Sequence, residues 1–295
     1  VSIHTVAIVG IGLIGGSLAA AWRASGFAQR IVALDPNDEA AEFALSRGLV
    51  DDVVSSVPQE ATLVAICTPS DLVAEQVRAL ADHSATLFDV GSVKGPILEA
   101  LNDHGVPPNF VPSHPIAGSE QSGPQGAAAD LFRGANVVLT PTQQTHADAV
   151  ALVTVAWEAV GARCVGLDAR VHDRMLARTS HLPHLLAFAF MQQIETQDLG
   201  YAGGGFRDFT RIAQANPELW WRILSMNKAE VIAQATQFQS HLAQFVDLLN
   251  EDDQALGLGF LQAAADRRAE LDAVIEARKP ATDSSSEENE GGSSS

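Results

Sequence analysis

The stretch FVPSHPIAGSEQSG, residues 110–123, sets one histidine, His114, where an apolar run gives way to small and polar residues. Histidine titrates near neutral pH, so at the end of a strand it could take a proton from a reacting group. A turn carrying a solvated histidine accounts for the same residues. Upstream, DVGSVKG brings Ser92 and Lys94 to another strand end. Ser92 could hydrogen-bond the imidazole or a substrate hydroxyl. Further along, RTSHLPHLLAFAF spaces His181 and His184 three apart, on one side of a helix. GGGFRDFTRIA spaces Arg207 and Arg211 four apart beside glycines. Arginine forks grip carboxylates through two parallel hydrogen bonds. His184 serves equally well as a satisfied core residue, and Arg211 as half of a structural salt bridge. A zinc site at His181 and His184 lacks a nearby third ligand, so no metal is expected.

A second constellation lies at the start of the chain. GIGLIG gives Gly10, Gly12 and Gly15 in the G-x-G-x-x-G spacing, directly after the apolar run TVAIVG and at the head of a helical pattern. In that context the first glycine allows a tight turn, the second lets backbone approach a pyrophosphate, and the third lets helix pack on strand. Leu13 and Ile14 belong to the same loop and are counted with the cofactor contacts. The phosphates would meet free N–H groups at the helix N-terminus. Asp35 ends the next strand, about 20 residues on, where an acid grips a ribose 2′-hydroxyl and repels a 2′-phosphate. Pro36, Asn37 and Asp38 follow it, with no arginine. This favours NAD over NADP. Thr68 and Pro69 end a third strand, where the cofactor would pass. A dinucleotide beside a strand-end base implies hydride transfer.

These residues need an α/β frame. Strands are expected at 5–10, 30–35, 62–69, 86–92, 109–114, 136–141 and 163–167. Helices are expected at 15–25, at 37–48 (capped by Asn37 or Asp38), and at 70–80 (capped by Ser70). Alternation of this kind builds a doubly wound, mostly parallel Rossmann-type sheet. After residue 168 long helical periods take over. The expected division is a dinucleotide-binding domain at 1–168, an all-helical substrate and dimerisation domain at 169–279, and a disordered acidic tail at 280–295. The long helical segments carry more apolar surface, as in FAFM and LWWRIL, than one thin helical layer could bury, which points to a homodimer.

Composition narrows the function. The chain has 295 residues and a formal net charge of -18, which argues against a nucleic-acid partner. A small anionic substrate remains open, because local arginines can outweigh a distant field. Cys67 and Cys164 read as small buried hydrophobes, not a disulfide. No apolar run reaches the ~18 residues of a membrane span. A cytoplasmic protein is expected.

Taken in order, GIGLIGGSLA, DVGSVK, SHPIAGSE, SHLPH and GGGFRDFTRIA resemble the prephenate/arogenate (cyclohexadienyl) dehydrogenase family of tyrosine biosynthesis, over about residues 4–275. The resemblance implies an NAD-dependent oxidative decarboxylation of prephenate, and/or arogenate, to 4-hydroxyphenylpyruvate and/or tyrosine. It implies a Rossmann-type domain followed by a helical dimerisation domain. His114 matches the family's catalytic base and Ser92 the serine that orients it. Arg211 matches a carboxylate-binding arginine, His184 a substrate-side histidine, and Glu120 a polar gate position near the cofactor. Neither a chorismate mutase domain nor a regulatory domain is recognised, so a minimal enzyme is expected. Two alternatives stand beside this reading. One is a β-hydroxyacid dehydrogenase or imine reductase, against which the absence of lysine in DARVHDRMLARTSHLPHLLAFAF counts. The other is a non-catalytic dinucleotide sensor.

Overall fold

The computed structural model describes residues 2–118 and 121–276; Glu120 and the expected tail at 280–295 lie outside the described residues. The chain begins with β1 (Ile3–Val9), α1 (Leu13–Ser25), β2 (Ala28–Leu34), α2 (Asp38–Ser46), β3 (Asp52–Val53), β4 (Leu63–Ile66), α3 (Val73–Ala79), β5 (Thr86–Asp89), α4 (Gly95–Asn102) and β6 (Phe110–Val111). The six strands form one parallel sheet in the order β3-β2-β1-β4-β5-β6. The order reverses between β1 and β4, which opens a crevice at their C-terminal ends.

Both faces of this sheet are covered, so its strands are almost continuously apolar. Successive β1 residues alternate between two cores. Val6 and Ile8 join Trp22, Phe88, Phe132 and Trp157 on one side. Ala7 and Val9 join Val73, Leu87, Ile97 and Phe110 on the other. Edge-to-face aromatic contacts link Phe88 to Trp157 and Trp157 to Phe132, with centroids 5.6 and 5.2 Å apart.

The expected strand at 109–114 is two strands. Pro112 has no N–H to offer a ladder, and the chain changes sheets there. β7 (Ser113–Pro115) pairs antiparallel with β8 (Asn136–Leu139), and β8 pairs parallel with β9 (Arg163–Gly166). Helix α5 (Ala147–Glu158) crosses between β8 and β9 and packs Val153 and Trp157 into the first core. Asn37 caps α2 as expected, accepting the Ala40 N–H. Ser70 is not a helix cap: it opens a single 3-10 turn, and its Oγ accepts the N–H of Ser92.

Among the described residues no strand follows β9. The helices are α6 (Ala169–Leu176), α7 (Leu182–Met191), α8 (Gly204–Thr210), α9 (Pro217–Met226), α10 (Lys228–Asn250) and α11 (Gln254–Glu276). Asp168 caps α6 through the N–H groups of Arg170 and Val171. A π-helical stretch, Ala177–His181, joins α6 to α7; such bulges occur often at functional sites. Gly204 and Gly205 lie inside the first turn of α8. Among the described residues, those through Ala235 form one compact unit and those from Thr236 a second. Within the second, Phe245 of α10 stacks on Phe260 of α11 at 5.0 Å. No helix among the described residues is long and apolar enough to cross a membrane.

Candidate active site

The glycine turn and the sheet's switch point are built together. Gly10 has φ +94, and a Cβ there would lie 2.8 Å from the Cys67 carbonyl carbon and oxygen. Only glycine fits this turn against the end of β4. A Cβ on Gly15 would lie 2.1 Å from the Gly10 oxygen, so the helix start sits hard on the turn. Gly12 differs: a Cβ there would meet nothing within 4 Å. Protein packing does not demand glycine at 12, whereas a ligand approaching the backbone would. Leu13 and Ile14 are partly exposed at the helix start.

Asp35 stands at the end of β2, half-buried. Its Oδ2 accepts the N–H of Ile11 at 2.7 Å and its Oδ1 that of Asn37 at 2.8 Å. A carboxylate has about four acceptor sites, so capacity remains for ligand hydroxyls. Across the switch point, Thr68 follows β4 and its Oγ1 is buried with no hydrogen-bond partner among the described residues. Pro69 comes next, leading into the Ser70 turn. The open space at Gly12, the spare acceptors of Asp35 and the unpartnered Thr68 hydroxyl together suit a dinucleotide.

His114 lies in β7, buried, immediately after a segment pinned from below. The Ser113 N–H donates to Asp89 Oδ1 at 3.0 Å, and the Ser113 hydroxyl donates to the Asp89 carbonyl. Lys94, fully buried, donates from Nζ to Asp89 Oδ2 and, at 2.8 Å, to the Ser113 carbonyl. A buried charge pair survives only when its other valences are also met. Here Gly91 N–H adds a further bond to Asp89 Oδ2 at 2.9 Å. Burial lowers the His114 pKa well below the ordinary imidazole value; nearby His172, Lys94 and His181 push the same way. The imidazole is therefore neutral near pH 7 and able to accept a proton.

The helices supply the other side. His114 Nδ1 lies 2.9 Å from His172 Nε2, and His172 Nδ1 lies 2.7 Å from Asp173 Oδ1. Asn227 Nδ2 donates to the Asp173 carbonyl at 2.8 Å and lies 3.1 Å from His181 Nδ1. His181 is buried, and desolvation carries its pKa down to about 4. His184 projects one turn further on. Its ring stacks on Trp220, 3.5 Å between centroids, and its Nδ1–H donates to the Ser180 carbonyl at 2.9 Å. Burial lowers the His184 pKa, and the Arg211 guanidinium adds to that shift. Arg211, exposed at the end of α8, has no carboxylate within ion-pair distance among the described residues, and neither does Arg207. Arg222 differs, paired with Asp71 at 2.6 Å.

Of the residues singled out in the sequence, His114 and Ser92 flank the end of β5, and His184 and Arg211 form one group on the helices. The Ser92 N–H donates to Ser70 Oγ at 3.1 Å, and no Ser92–His114 hydrogen bond is formed among the described residues. Sequence reasoning passed over His172, Asp173 and Trp220. An adjacent His-Asp pair at the buried face of α6 is a signal that could have found the first two.

The prephenate dehydrogenase nucleotide-binding domain matches residues 18–166, and the prephenate dehydrogenase dimerization domain matches residues 168–261. The chain is 33% identical over 262 residues to a cyclohexadienyl dehydrogenase of Zymomonas mobilis, covering 84% of this chain and 89% of the relative. It is 32% identical over 280 residues to a prephenate dehydrogenase of Bacillus subtilis, covering 90% and 75%. Among solved structures it is similar to prephenate dehydrogenase of Aquifex aeolicus in complex with hydroxyphenyl propionate and NAD+, with TM-score 0.84, 33% identity, and 92% and 99% of the two chains covered. It is also similar to Synechocystis arogenate dehydrogenase, with TM-score 0.78, 28% identity, and 90% and 99% covered.

Proposed function

The chain belongs to the prephenate dehydrogenase family, and from that premise we propose that it carries out the NAD-dependent oxidative decarboxylation of prephenate, and/or arogenate, to 4-hydroxyphenylpyruvate and/or tyrosine. The observation that carries this is the juxtaposition around His114. A buried, neutral imidazole bonds to His172 on α6, and α7 carries His184 beside a guanidinium with no carboxylate partner among the described residues.

NAD, when bound, supplies the acceptor for the hydride that leaves ring C4. Gly10, Gly12, Leu13, Ile14, Gly15, Asp35, Thr68 and Pro69 would hold it, with Asp35 discriminating against a 2′-phosphate. His114 accepts the proton of the C4 hydroxyl as the C4–H bond breaks. The carbonyl so formed draws in the electron pair of the bond to the ring carboxylate, which departs as carbon dioxide. The ring oxygen regains a proton and the product is a phenol. Ser92 orients the hydroxyl. Arg211 binds a substrate carboxylate bidentately, His184 lines the same side, and Glu120 is the polar gate residue near the cofactor that the family resemblance implies. We assign these roles within a functional division at residue 168, in a cytoplasmic homodimer built through the helical part. Its apolar surface, including Trp221 and Leu249, is exposed in the single chain.

The test is direct. The purified protein is mixed with prephenate or arogenate and NAD or NADP, and reduced nicotinamide is followed by absorbance. Turnover with NAD and at least one substrate is expected. No reduction in any of the four combinations would overturn the proposal.

A further inference from the structure

His114, His172 and Asp173 form an unbroken buried chain of hydrogen bonds, 2.9 and 2.7 Å long. Its far end is anchored. Asp173 Oδ1 also accepts the Lys94 N–H at 2.8 Å, and Oδ2 the Gly95 N–H at 2.7 Å. The direction of the protons follows from what each group can do. A carboxylate only accepts, so His172 Nδ1 carries a hydrogen. With His172 neutral, its single N–H is the one at Nδ1 and its Nε2 is an acceptor. His114 Nδ1 must then be the donor, which leaves the lone pair on His114 Nε2.

That arrangement is not the default. An imidazole side chain left to itself in water favours the other tautomer, with the hydrogen on Nε2. A base in that form offers its lone pair at Nδ1, the atom here turned towards His172. We propose that His172 and Asp173 are positioning residues that lock His114 in its Nδ1–H tautomer and so keep Nε2 free to take the substrate proton. The kinetic consequence rests on the proposed reaction; the tautomer is a property of the free protein. The lock also acts when His114 becomes charged. Its Nδ1–H bond is then charge-assisted, with the Asp173 carboxylate one ring away. The other ionisable groups facing His114 are His181 from the helical side and Lys94 from the start of α4, the latter bonded to Asp89.

Nitrogen-15 labelling of histidine and two-bond proton–nitrogen correlation spectra of the unliganded wild type read the tautomer directly, with His114→Gln used for assignment. Nδ1–H at His114 is expected; Nε2–H there would overturn the proposal without any variant being made. Two substitutions then test the consequence. His172→Leu removes the acceptor, whereas His172→Gln keeps an amide oxygen able to reach the place of Nε2. The leucine variant should lose about 10- to 100-fold in kcat, the worth of one hydrogen bond to a group that becomes charged. Its KM for NAD should stay within about threefold, since the glycine turn is untouched. The glutamine variant should recover most of the loss. Equal kcat in the two variants, or wild-type kcat in the leucine variant, would also overturn it. If the wild type turns over neither prephenate nor arogenate, the reaction has been misassigned, and the spectra still decide the tautomer.

Discussion

The main-chain N–H of Ile11 donates to Asp35 Oδ2 across 2.7 Å, so the glycine turn and the acid at the end of β2 are one unit. Replacing Asp35 therefore does two things. Asp35→Ala removes the proposed ribose acceptor and also frees the Ile11 and Asn37 N–H groups that shape the turn. Hydrogen bonds to a charged group contribute ~1.5–3 kcal/mol, so the KM for NAD should rise roughly 10- to 150-fold. The preference for NAD over NADP should narrow, because the repulsion of a 2′-phosphate is gone. Steady-state kinetics with each cofactor varied checks both; unchanged KM values would remove Asp35 from the site.

Gly12 and Gly15 should separate binding from folding. Alanine at 15 meets the Gly10 oxygen at 2.1 Å, so Gly15→Ala should fold poorly or melt well below wild type. Alanine at 12 meets nothing within 4 Å, and its backbone is extended, at φ -72 and ψ -157. Gly12→Ala should keep the wild-type melting temperature and bind NAD much more weakly. Thermal denaturation paired with NAD titration decides. A Gly12→Ala protein with native NAD affinity would mean that no ligand passes there.

His114→Asn should keep NAD binding and lose on the order of 10²–10⁴-fold in kcat, the usual contribution of a general base. Near-native turnover would show that another group takes the proton.

Arg211→Ala should raise the KM for prephenate far more than that for NAD. A single lost charged hydrogen bond corresponds to roughly 10- to 150-fold. Arg211→Lys should restore only part, since an ammonium cannot make two parallel bonds to one carboxylate. An unchanged prephenate KM in Arg211→Ala would shift attention to Arg207, the other arginine of this segment with no ion pair among the described residues.

Stability should fall in mild acid. His181 has its pKa carried from 6.5 to about 4, and His114 is shifted in the same direction. Between those values the unfolded chain binds protons that the folded chain does not, so stability rises with pH in that window. The contribution is complete above about pH 6.5 and is lost as pH falls towards 4. For His181 alone it amounts to roughly 3 kcal/mol. Urea denaturation at pH 7 and pH 4.5 measures the drop, and His181→Gln should reduce it. A protein equally stable at both pH values would contradict the burial of these imidazoles.

The sequence alone determined the parts whose causes are local. The spacing of Gly10, Gly12 and Gly15, the acid at the end of β2, a cap at Asn37 or Asp38 and the change from alternating strands to long helices all follow from backbone sterics and short-range periodicity. His114 stood out as a candidate base because an apolar run gives way there to small and polar residues. The tertiary structure alone decided what surrounds it. His172 lies 58 positions from His114, and Asp173 lies 79 from Lys94, whose N–H it accepts. Periodicity along α6 reports that one face is buried and says nothing of which polar group waits opposite. The break at Pro112 was visible as a proline, yet the transfer of β7 to a second sheet depended on β8, more than twenty residues later. The stacking of Trp220 on His184 likewise joins two helices that carry no local sign of each other. Buried hydrogen bonds and ring contacts are made between whichever groups the packed elements bring together, so their partners are decided by the packing of distant elements and not by neighbours in the chain.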